Sequence, residues 1–464
     1  MNSLTANSAR LFLFFIAVVF LFSACREKDN FDSLDLLEKI NSLEGVSAVE
    51  ITPSNNYVRA FQIDVTQPVD HKNPNGAKFT QRVYLSNADE KTPMVFAPSG
   101  YGTSATSLQE IARVLQTNCM NVTHRYFPGA RPEPLDWKYL TIEQAAADHH
   151  RIVQLFKKIY KGKWISSGAS KSGLTPLFHK RYYPNDVDAT IAYVAPFTFG
   201  PKDTRFPIYL TNLGGSECFN KLKAVQIFVL NHRQEMLDFM DNYIKSSTGT
   251  YSMERELLLE LDIMDYPFTY WQYYYSDCSF VPDTSASTAL QIFQHYSSIV
   301  PPVNFSDENI SYYAPYAYQA MSELGAPAYQ TDYLEGYLKK VDPNASGNPN
   351  YELVGPKNIS YTFNYNTLPD IYDWLQNNGD HIIYIYGKND PWSAGAIELS
   401  GTADALLFMQ EGTNHGSRIS TLDHPDEVYT ALEKWLGITI PAAARKSFTM
   451  GDEKPGFRLV GGRE

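Results

Sequence analysis

Three side chains far apart in this 464-residue chain have the types and the order needed for covalent chemistry on a carbonyl. The first is a serine in Lys163-Trp164-Ile165-Ser166-Ser167-Gly168-Ala169-Ser170-Lys171-Ser172-Gly173, which reads as a strand, a tight turn and a helix start. A serine hydroxyl attacks only when a base takes its proton and donors hold the oxyanion, and a sharp strand-to-helix turn is the local form that presents it to both. Small neighbours make the turn possible, and Gly168, Ala169, Ser172 and Gly173 are all small. The usual spacing is G-x-S-x-G; here the last glycine is displaced by one step, with Ser172 in its place. Downstream, the β-branched and aromatic run His381-Ile382-Ile383-Tyr384-Ile385-Tyr386-Gly387 is followed by Lys388-Asn389-Asp390. Further on, Ala405-Leu406-Leu407-Phe408-Met409 leads to a loop carrying His415. The order serine, acid, histidine is that of a nucleophile-elbow hydrolase. In that chemistry Ser170 attacks, His415 takes the proton and returns it to the leaving group, and Asp390 fixes the His415 tautomer. The backbone N–H of Lys171, with one from Gly100-Tyr101-Gly102 assigned to Tyr101, would hold the oxyanion.

Other reactive side chains read more plainly. His124 is expected to be structural, at a strand end. His149 and His150 lie on a helix, one facing the core, with no second ligand at metal-binding spacing. The Lys171 side chain is expected to be solvated or paired locally, and Trp392 to pack beside the aspartate loop or to line a cleft. Cys119, Cys218 and Cys278 form no C-x-x-C pair, so neither a zinc site nor another cofactor is called for. Cys218 and Cys278 fall in one region and are able either to pair or to remain free thiols.

The elements that must position these groups alternate between strand and helix. Phe61–Val65 and Phe79–Leu85 alternate as strands, with Asn73-Pro74-Asn75-Gly76 as a turn. Met94–Ala97, Asn121–Phe127 and Ala189–Ala195 are further strands. Thr141-Ile142-Glu143-Gln144 reads as a capping box opening a helix that runs to Tyr160. This rhythm predicts an α/β fold of the α/β-hydrolase kind, a mostly parallel sheet covered on both faces. The rhythm is expected over 46–199 and again over 369–441. Between them, 200–368 reads as a mainly helical insertion over the active edge, with helices at Leu222–Tyr243 and Met253–Met264 and an aromatic stretch around Tyr270–Tyr275. Residues 442–464 read as a polar tail. Pro425 in a first turn and Gly437 past the end bracket the last helix.

At the start, Arg10 precedes the apolar run Leu11–Phe22, then Ser23-Ala24-Cys25. This predicts an export signal over 1–24, a lipid-bearing Cys25 and a tether over 25–45. A membrane-anchored lipoprotein on the periplasmic or cell-surface side follows; a plain signal peptide or an uncleaved anchor fits the same residues. The formal net charge of −12 argues against nucleic acid as a partner. The 32 tyrosines and 26 phenylalanines suit either aromatic core packing or a groove gripping an extended organic ligand.

In combination, Trp164–Lys171, His124-Arg125-Tyr126-Phe127, Tyr193-Val194-Ala195-Pro196 and Asn389-Asp390-Pro391-Trp392 resemble secreted bacterial serine peptidases of the prolyl tri/tetrapeptidyl aminopeptidase type. These are relatives of the lysosomal Pro-X carboxypeptidases and dipeptidyl peptidases. The resemblance runs from Phe61 to Leu436. It implies an α/β-hydrolase core, a helical cap inserted before the aspartate, and release of short peptides from free N-termini, often after proline. Ser170, Asp390 and His415 match the catalytic positions. The chain departs from the pattern at Thr123, where the family has a glutamate, at Ser99, where it has an acid, and at Ser172, where it has a glycine. The missing acids bear on how a substrate amine is held, because a carboxylate is its natural partner. Asp262, Asp265 and Glu217 are candidates for supplying that charge. Two other readings fit the same chain: an esterase or other acyl hydrolase, and a non-catalytic aromatic-rich lipoprotein that binds peptide or glycan.

Overall fold

Nine strands build one sheet: β1 (Val46–Ile51), β2 (Arg59–Pro68), β3 (Lys78–Asn87), β4 (Met94–Pro98), β5 (Asn118–Val122), β6 (Trp164–Ala169), β7 (Ala189–Tyr193), β8 (Ile382–Gly387) and β9 (Ala405–Gln410). The structure is a computed structural model that describes residues 31–446, except 275, 276, 343, 344 and 346. The signal expected over 1–24, Cys25 and most of the 442–464 tail lie outside the described residues. The sheet order is β1-β2-β3-β5-β4-β6-β7-β8-β9. The first three strands pair antiparallel with each other and with β5, and every pair from β5 to β9 is parallel. Strands β4, β5, β7 and β8 are buried at every position; β4, β7 and β8 are mainly apolar, and β5 buries Asn118 and Asn121 with their side chains hydrogen-bonded.

Helices cover both faces. In chain order the helices are α1 (Leu36–Asn41), α2 (Glu110–Leu115), α3 (Ile142–Phe156) and α4 (Lys171–Tyr182), then, in the inserted segment, α5 (Arg205–Asn212), α6 (Gly215–Asn231), α7 (Arg233–Ser246), α8 (Arg255–Thr269), α9 (Ala289–Ile299), α10 (Asp307–Gln319) and α11 (Pro349–Val354), and finally α12 (Thr367–Asn378), α13 (Pro425–Leu436) and α14 (Ala442–Lys446). Successive β8 side chains point to opposite faces. Ile383 and Ile385 pack with Ile111 of α2 and with Val428 and Leu432 of α13. Tyr384 and Tyr386 pack with Leu174 and Leu177 of α4 and with Ile371 and Leu375 of α12.

Between β7 and β8 the helical segment has a hydrophobic cluster of its own, including Val225, Met236, Leu258, Ile292 and Tyr296. Cys218 and Cys278 form a disulfide there, with Cα atoms 5.4 Å apart, so the paired alternative is the one the fold adopts; Cys119 is free and buried. Glu260 is buried inside this segment. It accepts from the amides of Lys339, Lys340 and Val341 at 2.7, 2.8 and 2.8 Å and pairs with Arg233 at 2.8 Å, so its charge is fully answered.

Several boundaries differ from the sequence reading. The tether expected over 25–45 is folded from Leu36 on: Leu36, Ile40 and Leu43 are buried against Phe61 and Ile63, and Val46–Ile51 adds an edge strand. The strand expected over Asn121–Phe127 ends at Val122, because the chain then turns through Tyr126 at φ 73°. The single helix expected over Leu222–Tyr243 is two, broken at His232. The capping box at Thr141 is half made. Thr141 accepts from the Gln144 amide at 3.2 Å, but the Gln144 side chain donates to Asp70 at 2.8 Å instead of turning back. The helix it opens stops at Phe156.

Candidate active site

The chain leaves β4 for β5 on one side and later returns as β6 on the other, so the loops after β4 and β6 face each other at the carboxyl edge where the strand order reverses. Ser170 stands at the tip of the second loop with φ 60° and ψ −131°, a strained conformation for a non-glycine residue. Its neighbours must be small for a measurable reason. A Cβ on Gly168 would sit 1.9 Å from the Ser172 carbonyl oxygen, and one on Gly173 2.8 Å from the Tyr193 carbonyl oxygen. The Ser170 amide donates to that Tyr193 oxygen at 2.9 Å, which ties the elbow to β7.

Ser99 and Ser172 meet here. Ser172 Oγ accepts the Gly100 amide at 2.8 Å and lies 3.5 Å from Ser99 Oγ. Ser99 Oγ in turn accepts the Tyr101 amide at 3.0 Å. The Tyr101 N–H expected at the oxyanion is therefore engaged by Ser99. Lys171, first in α4, has no intrahelical acceptor for its N–H and sits at the positive end of the helix. Of the two expectations for its side chain, solvated or paired locally, the first does not hold. The side chain is buried, donates to the Gly100 carbonyl, and its Nζ lies 5.2, 5.3 and 5.6 Å from the ring centres of Tyr101, Phe127 and Tyr316. Burial holds its ammonium far below the usual lysine range.

Asp390 follows β8 and His415 follows β9, so both reach the same edge as Ser170. Asp390 is fully buried; its Oδ2 meets His415 Nδ1 at 2.6 Å and its Oδ1 accepts the Trp392 amide at 3.1 Å. Close approach of the two loops needs Gly387, where a Cβ would lie 2.4 Å from the Thr413 carbonyl oxygen. The other ring nitrogen, His415 Nε2, is buried with no hydrogen-bond partner among the described residues. Tyr273 and Trp392 face the His415 ring at 5.6 and 6.5 Å, and both line the same cavity as Ser170.

That cavity holds about 290 Å³. Tyr101 and Ser170 contribute from the sheet, and Phe268, Tyr273, Tyr313 and Tyr316 contribute aromatic wall from the helical segment. Asp265, Tyr329 and Asn350 supply polar groups. Of the three amine-site candidates, only Asp265 lines it. Asp262 is buried away from the cavity with both oxygens unpartnered among the described residues, and Glu217 is exposed and paired with Lys221 at 3.0 Å. Trp392 does both things expected of it: it packs on Phe206 and Phe268 and lines the cavity.

His124 is buried and structural, with Nδ1 2.9 Å from the Arg125 carbonyl oxygen, and burial keeps it neutral. His149 faces the core, and His150 pairs with Asp186 at 2.7 Å. Positioning groups that the sequence reading missed lie further out. Glu110 accepts from the amides of Ile419 and Ser420 at 3.0 and 2.9 Å and from the Tyr193 hydroxyl at 3.0 Å, which pins the chain just after His415. The Gln272 carbonyl accepts the His415 amide at 3.1 Å. Asp148 holds the buried Arg125 through bonds of 2.7 and 2.8 Å below the strand end that carries Thr123. None sits in a motif; an acid among the buried residues of α3 was the one available signal, at Asp148.

A sheet of this order, with its elbow serine where the strand order reverses, is the α/β-hydrolase fold, and the chain is a serine hydrolase. Residues 30–450 match the family PS-10 peptidase S37, and the chain belongs to that peptidase family. It is 33% identical over 422 residues to the prolyl tri/tetrapeptidyl aminopeptidase of Streptomyces mobaraensis, covering 89% of this chain and 87% of that one. Solved structures similar to it include a proline iminopeptidase of Mycobacterium smegmatis, at 11% identity and a TM-score of 0.36 over 81% of this chain and 97% of that chain. Another is the epoxide hydrolase VrEH1 of Vigna radiata, at 12% identity and a TM-score of 0.30 over 85% of this chain and 100% of that chain.

Proposed function

We propose that this peptidase is an exported serine aminopeptidase that releases short peptides from free N-termini, with a preference for proline at the cleaved bond. The observation that carries the reading is the buried Asp390–His415 pair, with its second ring nitrogen unpartnered beside the cavity that Ser170 lines. In this reading His415 Nε2 takes the Ser170 proton as Oγ attacks the scissile carbonyl. The proton passes to the leaving amine, and the released chain departs. The N-terminal fragment stays as an ester on Ser170 until water, deprotonated by His415, frees it. Asp390 keeps Nδ1 protonated and offsets the imidazolium charge. The Lys171 amide holds the oxyanion, with Tyr101 sharing its N–H between the oxyanion and Ser99. Proline preference is supported by the name of the Streptomyces relative and by the aromatic faces of Phe268, Tyr273 and Trp392 near His415. Export with a lipid on Cys25 rests on the apolar run and small residues at the start of the chain.

The test is a panel of fluorogenic di-, tri- and tetrapeptides with free amines, beside simple esters, with Ser170→Ala as control. A fluorophosphonate probe should label Ser170 and not the variant. Ester turnover exceeding that of every peptide would overturn the peptide-trimming role in favour of an acyl hydrolase, and absence of labelling would overturn the catalytic role of Ser170.

A further inference from the structure

An enzyme that trims from a free N-terminus has to recognise an ammonium group, for which a carboxylate is the natural partner. The cavity supplies one. Asp265, near the end of α8, is the only Asp, Glu, Lys, Arg or His among the described residues that line it. Its oxygens accept from Thr269 Oγ1 at 3.0 Å and from the Tyr329 hydroxyl at 3.1 Å, and no cation among the described residues pairs with it. Neutral donors alone are a poor match for a carboxylate out of water, which calls for a positive partner. Asn350 extends the same group. Its Nδ2 donates to the Tyr329 hydroxyl at 2.5 Å, while its Oδ1 is buried with no partner among the described residues. The Asn350 backbone N–H donates to Asn348 Oδ1 at 3.0 Å. The cavity is thus lined by a carboxyl group with neutral partners only and by Asn350, whose Oδ1 lacks a partner among the described residues, the two joined through Tyr329.

We infer that Asp265 and Asn350 Oδ1 together seat the α-ammonium of the substrate peptide, making Asp265 the residue that restricts the enzyme to free N-termini. The inference rests on the aminopeptidase reading above. An ammonium brings three N–H donors and a full charge, so it can satisfy both acceptors at once. An N-acetylated terminus brings one N–H, no charge and extra bulk. Burial raises the empty Asp265 carboxyl above its ordinary range, with Asp262, Tyr273 and Tyr329 as its titratable neighbours; an incoming cation reverses that direction.

The experiment compares kcat/KM for one peptide with a free and with an acetylated N-terminus, in wild type, Asp265→Asn and Asn350→Ala. The wild type should favour the free amine strongly. Asp265→Asn should lower that preference by at least about 30-fold, the effect of removing one partner from a desolvated charge pair. The loss should fall mainly on KM, with fluorophosphonate labelling of Ser170 showing that the variant is folded. Asn350→Ala should lower the preference by about threefold or more and carries the test alone if Asp265→Asn does not fold. A wild type that cleaves both peptides equally overturns the aminopeptidase reading and this inference with it. A wild type that discriminates, with folded variants that discriminate equally well, overturns the role of Asp265 alone.

Discussion

At the scale of single residues, the site places its charges with unequal support. Asp390 has both oxygens bonded, one to His415 and one to the Trp392 amide, so replacing it with asparagine should preserve the loop and spoil the tautomer. Asp390→Asn should lower kcat by roughly 10³- to 10⁴-fold, with a melting temperature close to wild type, read by steady-state kinetics and calorimetry. Lys171 is the opposite case. Its amino group has a carbonyl and three aromatic rings as partners and no carboxylate among the described residues. The Gly100 carbonyl it holds belongs to the loop that borders the proposed oxyanion position. Lys171→Met keeps the stem and removes the donor; it should lower kcat by about fivefold, the value of one lost hydrogen bond. A variant with unchanged kcat would show that the loop is set without the lysine.

At the scale of elements, two irregular turns join the helical segment to the sheet. The π turn Tyr270–Tyr274 continues α8 and offers the Gln272 carbonyl to the His415 amide. A second π turn, Ala320–Leu324, continues α10 and carries Glu323, whose Oε2 accepts the amide of Ile142 at the start of α3 at 2.7 Å. Burial raises the Glu323 carboxyl from its ordinary 4.5 to about 7, against the favourable helix start. A raised carboxyl pKa means that the folded state binds more protons than the unfolded one between those two values. Stability therefore falls as pH climbs through that window and levels off above it. Glu323→Gln removes the titration. Relative to wild type it should gain about 1–3 kcal/mol between pH 4.5 and pH 8, measured by urea unfolding at both pH values. A difference independent of pH would exclude Glu323 as the titrating latch.

At the scale of the whole molecule, the helical segment has a hydrophobic cluster of its own, meets the sheet's clusters through Leu324 and Trp392, and shares the cavity with the sheet. The Cys218–Cys278 disulfide closes a loop across a separation of 60 residues wholly within the helical segment. The Cys218→Ser/Cys278→Ser double variant should lose about 2–4 kcal/mol, seen as a lower melting temperature under oxidising conditions; an unchanged melting temperature would mean the bridge is not formed. Chain order, small residues around Ser170 and strand runs ending just before Asp390 and His415 were enough to read the sheet, the elbow and the helical insertion, because those signals are local and periodic. The α6–α7 break at His232, the folding of Leu36–Leu43 onto the sheet and the burial of Lys171 were not legible, because each depends on what a distant segment packs against. The same holds for the choice of Asp265 over Asp262 and Glu217. All three are acids on helices, and nothing in their neighbours along the chain tells which one a cavity will expose; that is settled only when α8 packs beside Tyr329 and Asn350 over the carboxyl edge of the sheet.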